Sequence, residues 1–237
     1  MNIFVAGATG VIGIPLLKLL HEAGHAVTGT TRSQGKVATI EALGAQAAVV
    51  DVFDADALER AVAAAKPDVI IHQLTDLPDV IDPNQRAAMS ARNSRLRSEG
   101  TRNLMAAAKA AGVRRVVAQS IAFVYAPGSK PYRESDPLDS SEAQRTSIAG
   151  VKALEDAVLN TPGVEGLVLR YGRLYGPGTW ADRPPAGPLT TGAAAQAALL
   201  AVTRGAPGIY NIAEDDGEFS VEKAKRELGF DPAFRFS

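Results

Sequence analysis

The chain opens MNIFVAGATGVIG, a short apolar run that breaks at once into Gly7-x-x-Gly10-x-x-Gly13 and then into a helical pattern. Ile3, Phe4, Val5 and Ala6 read as a fully buried strand bounded by glycine. Gly7 permits a tight turn, Gly10 lets the backbone approach a pyrophosphate, and Gly13 allows helix and strand to pack closely. A helix starting near Gly10 aims free N–H groups and its positive dipole end at phosphate oxygens. A glycine triplet alone is weak evidence. With a strand before it and a helix after it, the triplet reads as a dinucleotide site. The expected contacts are Gly7, Thr9, Gly10, Val11, Ile12 and Gly13.

Strand and helix go on alternating beyond this turn. Val11 to Ala23 carries an apolar helical stripe that Gly24 ends, and 25–31 reads as a second strand. A helix over 35–43, a strand over 45–50, a helix over 56–65 and a strand over 67–71 come next. A long helix is expected from Ala88 to Ala111, stopped by Gly112, then a strand over 114–119, a helix over 146–159 and a strand over 164–171. The strands are short and uniformly apolar, the pattern of a parallel sheet covered on both faces. This is a doubly wound α/β fold of the Rossmann type. Residues 1–171 form its binding core, and 172–237 form a small, shortened C-terminal lobe partly integrated with it. The Gly/Pro-rich stretch over 172–192 is too long for a simple connector. Beyond it a helix over 193–204, a strand over 208–212 and a helix over 221–228 are expected.

Composition narrows the possible partners. A net charge of -1 gives no reason to expect nucleic acid or an anionic membrane surface. With no cysteine, disulfides, thiolate catalysis and cysteine metal sites are excluded, and no metal centre is expected. No apolar run is long enough to span a bilayer and no signal peptide precedes the first strand, so a cytoplasmic location is expected. The partner implied is a small-molecule substrate, and a homodimer through the helices flanking strands four and five would fit the fold.

The identity of the dinucleotide turns on the end of strand two, where an acid would hold a ribose 2′-hydroxyl. No Asp or Glu stands there. The segment is Thr30-Thr31-Arg32-Ser33, with Lys36 close behind. A guanidinium suits a 2′-phosphate through paired hydrogen bonds, which favours NADP(H) over NAD; a solvated loop charge is the plainer alternative for Arg32. Asp51 and Val52, after strand three, are placed to meet the adenine edge, and Asp51 could equally cap the helix beyond it.

GATGVIG, Asp51-Val52, Asp68-Val-Ile-Ile-His72, Gly100-Thr-Arg-Asn-Leu104, the segment Leu169 to Gly178 and the segment Lys223 to Phe230 together resemble the NAD-dependent epimerase/dehydratase family, the extended-type short-chain dehydrogenase/reductases. The resemblance implies a nicotinamide site at Gln73, Leu74 and Thr75 and around Tyr171. It also implies a Ser/Thr, a Tyr and a Lys acting together. The lysine holds the nicotinamide ribose and lowers the tyrosine pKa, because a nearby ammonium favours an ionised phenol.

The chain departs from that pattern. Lys152 falls at the family lysine, but the tyrosine position four residues earlier holds Ile148, which can neither donate nor accept a proton. The family serine falls on Ser120 or Ile121, and the helix asparagine falls on Arg97. Ser120, Tyr125 and Lys152 are the catalytic candidates that remain, with Lys152 also a cofactor contact. Two functions stay open: an NADP(H)-dependent oxidoreductase or epimerase-like enzyme with an atypical proton donor, and a non-catalytic dinucleotide-binding or redox-sensing protein.

Overall fold

Strand β1 (Asn2–Ala6) sends Ile3 and Val5 to one face and Phe4 and Ala6 to the other, and all four are buried. Strands β4 (Val69–His72), β5 (Arg115–Ile121) and β6 (Glu165–Tyr171) behave in the same way. Successive side chains on a strand point to opposite faces, so an unbroken apolar run demands cover on both. The computed structural model, which describes residues 1–78 and 82–236, supplies that cover. With β2 (Ala26–Thr31), β3 (Gln46–Val49) and β9 (Gly208–Ile212), these strands form one seven-stranded sheet in the order β3-β2-β1-β4-β5-β6-β9. Every pairing in it is parallel.

Two apolar layers lie on the two faces. One joins Ile3, Val5, Ile71 and Leu169 to helices α1 (Gly13–Glu22) and α7 (Thr191–Leu200) and to α8 (Glu222–Leu228). The other joins Phe4, Ile70, Val116 and Val168 to α3 (Ala55–Ala65), α5 (Thr101–Ala110) and α6 (Arg145–Leu159). Alanine makes the first layer thin. Ala193, Ala194, Ala195, Ala197 and Ala198 are all fully buried on α7, and their small side chains let it approach α1 closely.

Several boundaries differ from the sequence expectation. The helix after strand two is a single 3-10 turn followed by α2 (Val37–Glu41). The long helix over 88–111 is α4 (Arg86–Arg95) and α5, with a π turn over Leu96–Gly100 between them. Such turns need one extra residue in the ladder, and hydrophobic periodicity does not announce them. Within the Gly/Pro-rich stretch, β7 (Arg173–Tyr175) and β8 (Pro188–Thr190) form a separate two-stranded parallel ribbon. The segment after 172 also gives β9 to the main sheet and α7 to one of its covering layers.

Candidate active site

All seven strands of the sheet point their carboxyl ends the same way, and at that edge lies a cleft of about 1340 Å³. Such an edge, at the crossover where the strand order reverses, is where open parallel sheets hold ligands. Gly7, Thr9, Gly10 and Val11 follow β1, Thr30 to Ser33 close β2, and Gln73 to Thr75 follow β4. Gln119, Ser120 and Ile121 end β5 with Phe123 just beyond, Tyr171 ends β6, and Gly172, Arg173 and Leu174 lead from it into β7.

The glycine turn is built for close approach. Gly7 has φ +92, and a Cβ there would stand 2.8 Å from the Gln73 carbonyl. A Cβ on Gly13 would lie 2.3 Å from the Gly7 carbonyl oxygen. At Gly10 the nearest atom to such a Cβ is that same oxygen at 3.4 Å, so this residue is free on its cleft side. No side chain caps the first turn of α1; the Ile14 amide there donates to the Gly10 carbonyl at 3.1 Å, and Pro15 carries no N–H. The Gly7 amide donates to Thr30 Oγ1 at 3.2 Å, tying the turn to β2.

The sequence-predicted cofactor residues divide by position. Gly7, Thr9, Gly10, Val11, Arg32, Val52, Gln73 and Leu74 line the cleft. Ile12 and Gly13 do not: Ile12 is buried in the core beneath α1, and Gly13 forms the close helix–strand contact. Asp51 turns away as well, its carboxylate accepting the Phe53 amide at 3.0 Å, while Asp54 caps α3 through the Ala57 amide at 2.9 Å. Arg32 is 56% exposed and lies 3.7 Å from Asp76.

Of the catalytic candidates, only Ser120 lines the cleft. Its hydroxyl donates to Glu155 Oε1 at 2.8 Å. Glu155 in turn is held by Arg170 through two bonds of 2.8 and 2.6 Å, both side chains being almost fully buried. Tyr125 lies behind this pair. Its hydroxyl donates to Asn211 Oδ1 at 2.6 Å and accepts from Arg170 at 3.0 Å. Its ring stacks on Tyr132, and burial raises its pKa above the usual phenol value. Both its proton and its lone pair face protein. Lys152 is exposed and outside the cleft. The three candidates are therefore not brought together.

On α6 the residue that faces the cleft is Ser147. Ile148 packs against Val124 and Val151 in a small apolar cluster. A helix turns about 100° per residue, so a register one residue off moves a side chain from cleft to core. Ser147 thus presents a hydroxyl to the cleft, while Ile148, at the position the sequence matches to the family tyrosine, faces the core. Arg97, in the π turn, also lines the cleft.

Two polar residues fix the floor. Gln73 Nε2 donates to the Tyr171 hydroxyl at 3.1 Å, and that hydroxyl donates to the Ala194 carbonyl at 3.2 Å. The chain of donors sets the amide orientation and leaves Gln73 Oε1 buried without a partner among the described residues. His72 takes the Leu74 amide on Nδ1 at 3.2 Å and therefore presents Nε2–H to Thr101 Oγ1 at 3.0 Å. Burial, with Arg97 nearby, lowers its pKa to about 4, so it is neutral and holds the turn after β4.

Known proteins match this architecture. The model of the NAD dependent epimerase/dehydratase family fits residues 3–198. The chain belongs to that family. Among curated relatives, a 3-diazoavenalumate denitrifying reductase from a Streptomyces species is 43% identical over 182 residues, covering 76% of this chain and 58% of that protein. A 4-hydroxy-2-methyl-3-oxo-4-farnesyl-3,4-dihydroquinoline-1-oxide ketoreductase from Stigmatella aurantiaca is 29% identical over 182 residues, covering 74% and 51%. The chain thus spans between half and three-fifths of the length of these relatives. In overall fold it is similar to UDP-glucose 4-epimerase from Thermotoga maritima, with a TM-score of 0.80, 18% identity and coverage of 99% and 94%. No helix among the described residues is long and apolar enough to cross a membrane.

Proposed function

We propose that the chain is an NADP(H)-dependent oxidoreductase acting on a small molecule in the cleft. The observation that carries this reading is the continuity of one cleft from the glycine turn and Arg32, past Gln73, to Ser120, Ser147 and Arg97. The two relatives named as reductases support the same class of reaction. The residues present fit a dinucleotide: the cradle at Gly7 and Gly10 admits a pyrophosphate, and the orphaned Gln73 Oε1 can accept a hydrogen bond from a hydroxyl or amide N–H of the cofactor. Arg32 and Lys36, with no acid at the end of β2, suit a 2′-phosphate. When bound, the nicotinamide ring supplies or accepts the hydride.

This chain's own part is to orient the substrate oxygen and stabilise charge on it. Ser147 is the hydroxyl on α6 facing the cleft and can donate to that oxygen. Ser120 already donates its proton to Glu155, so it is an acceptor on its cleft side. Tyr125 and Lys152 take no direct part. A second reading, a dinucleotide-binding protein without turnover, draws on the absence, among the described residues, of any tyrosine with a free hydroxyl at the cleft: Tyr171 is tied to Gln73 and Ala194.

The deciding measurement is NADPH consumption over a panel of carbonyl and other reducible compounds, with NADPH binding followed separately. Turnover lowered by Ser147→Ala and left intact by Lys152→Ala supports the oxidoreductase. Tight NADPH binding with no turnover across the panel supports the binding protein. No NADPH binding removes both.

A further inference from the structure

Six cationic side chains line the cleft, Arg32, Lys36, Arg86, Arg97, Arg173 and Arg183, and among the described residues no Asp or Glu does. In a chain of net charge -1 this is a local concentration of positive charge. Most of these cations are engaged or solvated. Arg32 faces Asp76, Arg183 faces Glu214, and Arg173 donates to the Ala186 carbonyl while lying over the Phe123 ring. Lys36 and Arg86 stand exposed.

Arg97 differs. It is half-buried and makes no hydrogen bond or ion pair with any described residue. Burial lowers its pKa to about 10, and the charge of Glu155 offsets this only in part. Glu155 is neutralised elsewhere, because Arg170 takes both its oxygens and Ser120 adds a third bond. With His72 neutral, the group Arg97, Glu155 and Arg170 carries one uncompensated positive charge beside the cleft. A sheltered guanidinium without a counter-ion is costly unless a ligand supplies one.

We infer that Arg97 anchors a carboxylate on the substrate, whose apolar part lies against Met89, Phe123 and Leu174 of the same cleft. The inference rests on the oxidoreductase reading and names its substrate class. A planar guanidinium pairs the two oxygens of one carboxylate, whereas a diphosphate would call for a second sheltered and unengaged cation. The π turn, common at functional sites, is what brings Arg97 to this place.

Ligand-observed NMR titration of the NADPH-loaded protein with benzoate, benzamide and phenylphosphonate tests it. Benzoate is expected to bind about tenfold or more tightly than benzamide, as a charged hydrogen-bonded pair implies. Arg97→Met removes that preference and leaves the NADPH affinity unchanged. Should this variant not fold, Arg97→Lys serves: it loses benzoate affinity and keeps that for benzamide. Equal binding of benzoate and benzamide, or a preference that survives Arg97→Met, overturns the inference. So does tighter binding of phenylphosphonate that depends on Arg97, which would assign a phosphate. If NADPH itself does not bind, the dinucleotide reading fails, and the same titration without NADPH still reports on Arg97.

Discussion

Gly13 and Arg32 show how differently two residues of one binding region can matter. A methyl group on Gly13 would overlap the Gly7 carbonyl oxygen, which is backbone and cannot swing aside. Gly13→Ala is therefore expected to destabilise the fold by about 2 kcal/mol or more, within the range of overpacked core substitutions, as read by chemical denaturation. Arg32→Ala leaves the fold intact, since the side chain is largely exposed. It should weaken NADPH binding about tenfold and leave NADH binding alone, a difference that fluorescence titration of the two cofactors resolves. Asp76 competes for the same guanidinium, so Asp76→Asn should tighten NADPH binding. His72 adds a pH dependence. Its folded pKa, about 4, lies below its ordinary value of 6.5, so the neutral form is the one the fold stabilises. That stability is fully present above pH 6.5 and is lost as the pH falls through 4, up to about 3 kcal/mol. Thermal unfolding of His72→Asn should show a shallower decline across this window than the parent chain.

Secondary-structure elements explain which parts of the site could be read from the sequence. Gly7, Gly10 and Arg32 follow strands whose ends are marked by glycine or by loss of apolar character, so sequence position fixes their place in space. Side chains on helices are harder, because one residue of register is about 100° of rotation. Ile148 and Ser147 illustrate the point: adjacent in sequence, one belongs to an apolar cluster and the other to the cleft. Arg97 is legible only as an oddity in a helical run, since the π turn that aims it has no hydrophobic signature. Tyr125 sits after β5 as expected, yet its surroundings come from β9 and the 126–144 loop, which local pattern cannot foresee. The pair formed by α6 and β6, Glu155 with Arg170, makes a further prediction. Glu155→Gln leaves a buried guanidinium short of its counter-ion and should cost about 3–5 kcal/mol, measurable by denaturant unfolding.

Across the whole molecule, charge is unevenly spread. Asp76 and Glu214 each face an arginine of the cleft lining and Glu155 faces one behind it, while among the described residues no carboxylate joins the lining itself. Ligand affinity should therefore fall as salt is raised, and fall less in Arg97→Met than in the parent chain, because an exposed or half-exposed ion pair is screened. The cleft is also assembled from distant parts of the chain, from Ala6 to Pro185, with every strand of the central sheet except β9 either contributing lining residues or leading directly into them. Such a site has no local precursor. It comes into being when β1, β4, β5 and β6 have all docked in register, and no fragment that lacks one of them can hold the ligand. Binding of a nicotinamide dinucleotide would then serve as a folding assay in its own right: a variant altered outside the cleft lining that keeps its helical circular dichroism but no longer binds has lost the docking of a strand, and added ligand should rescue it by mass action.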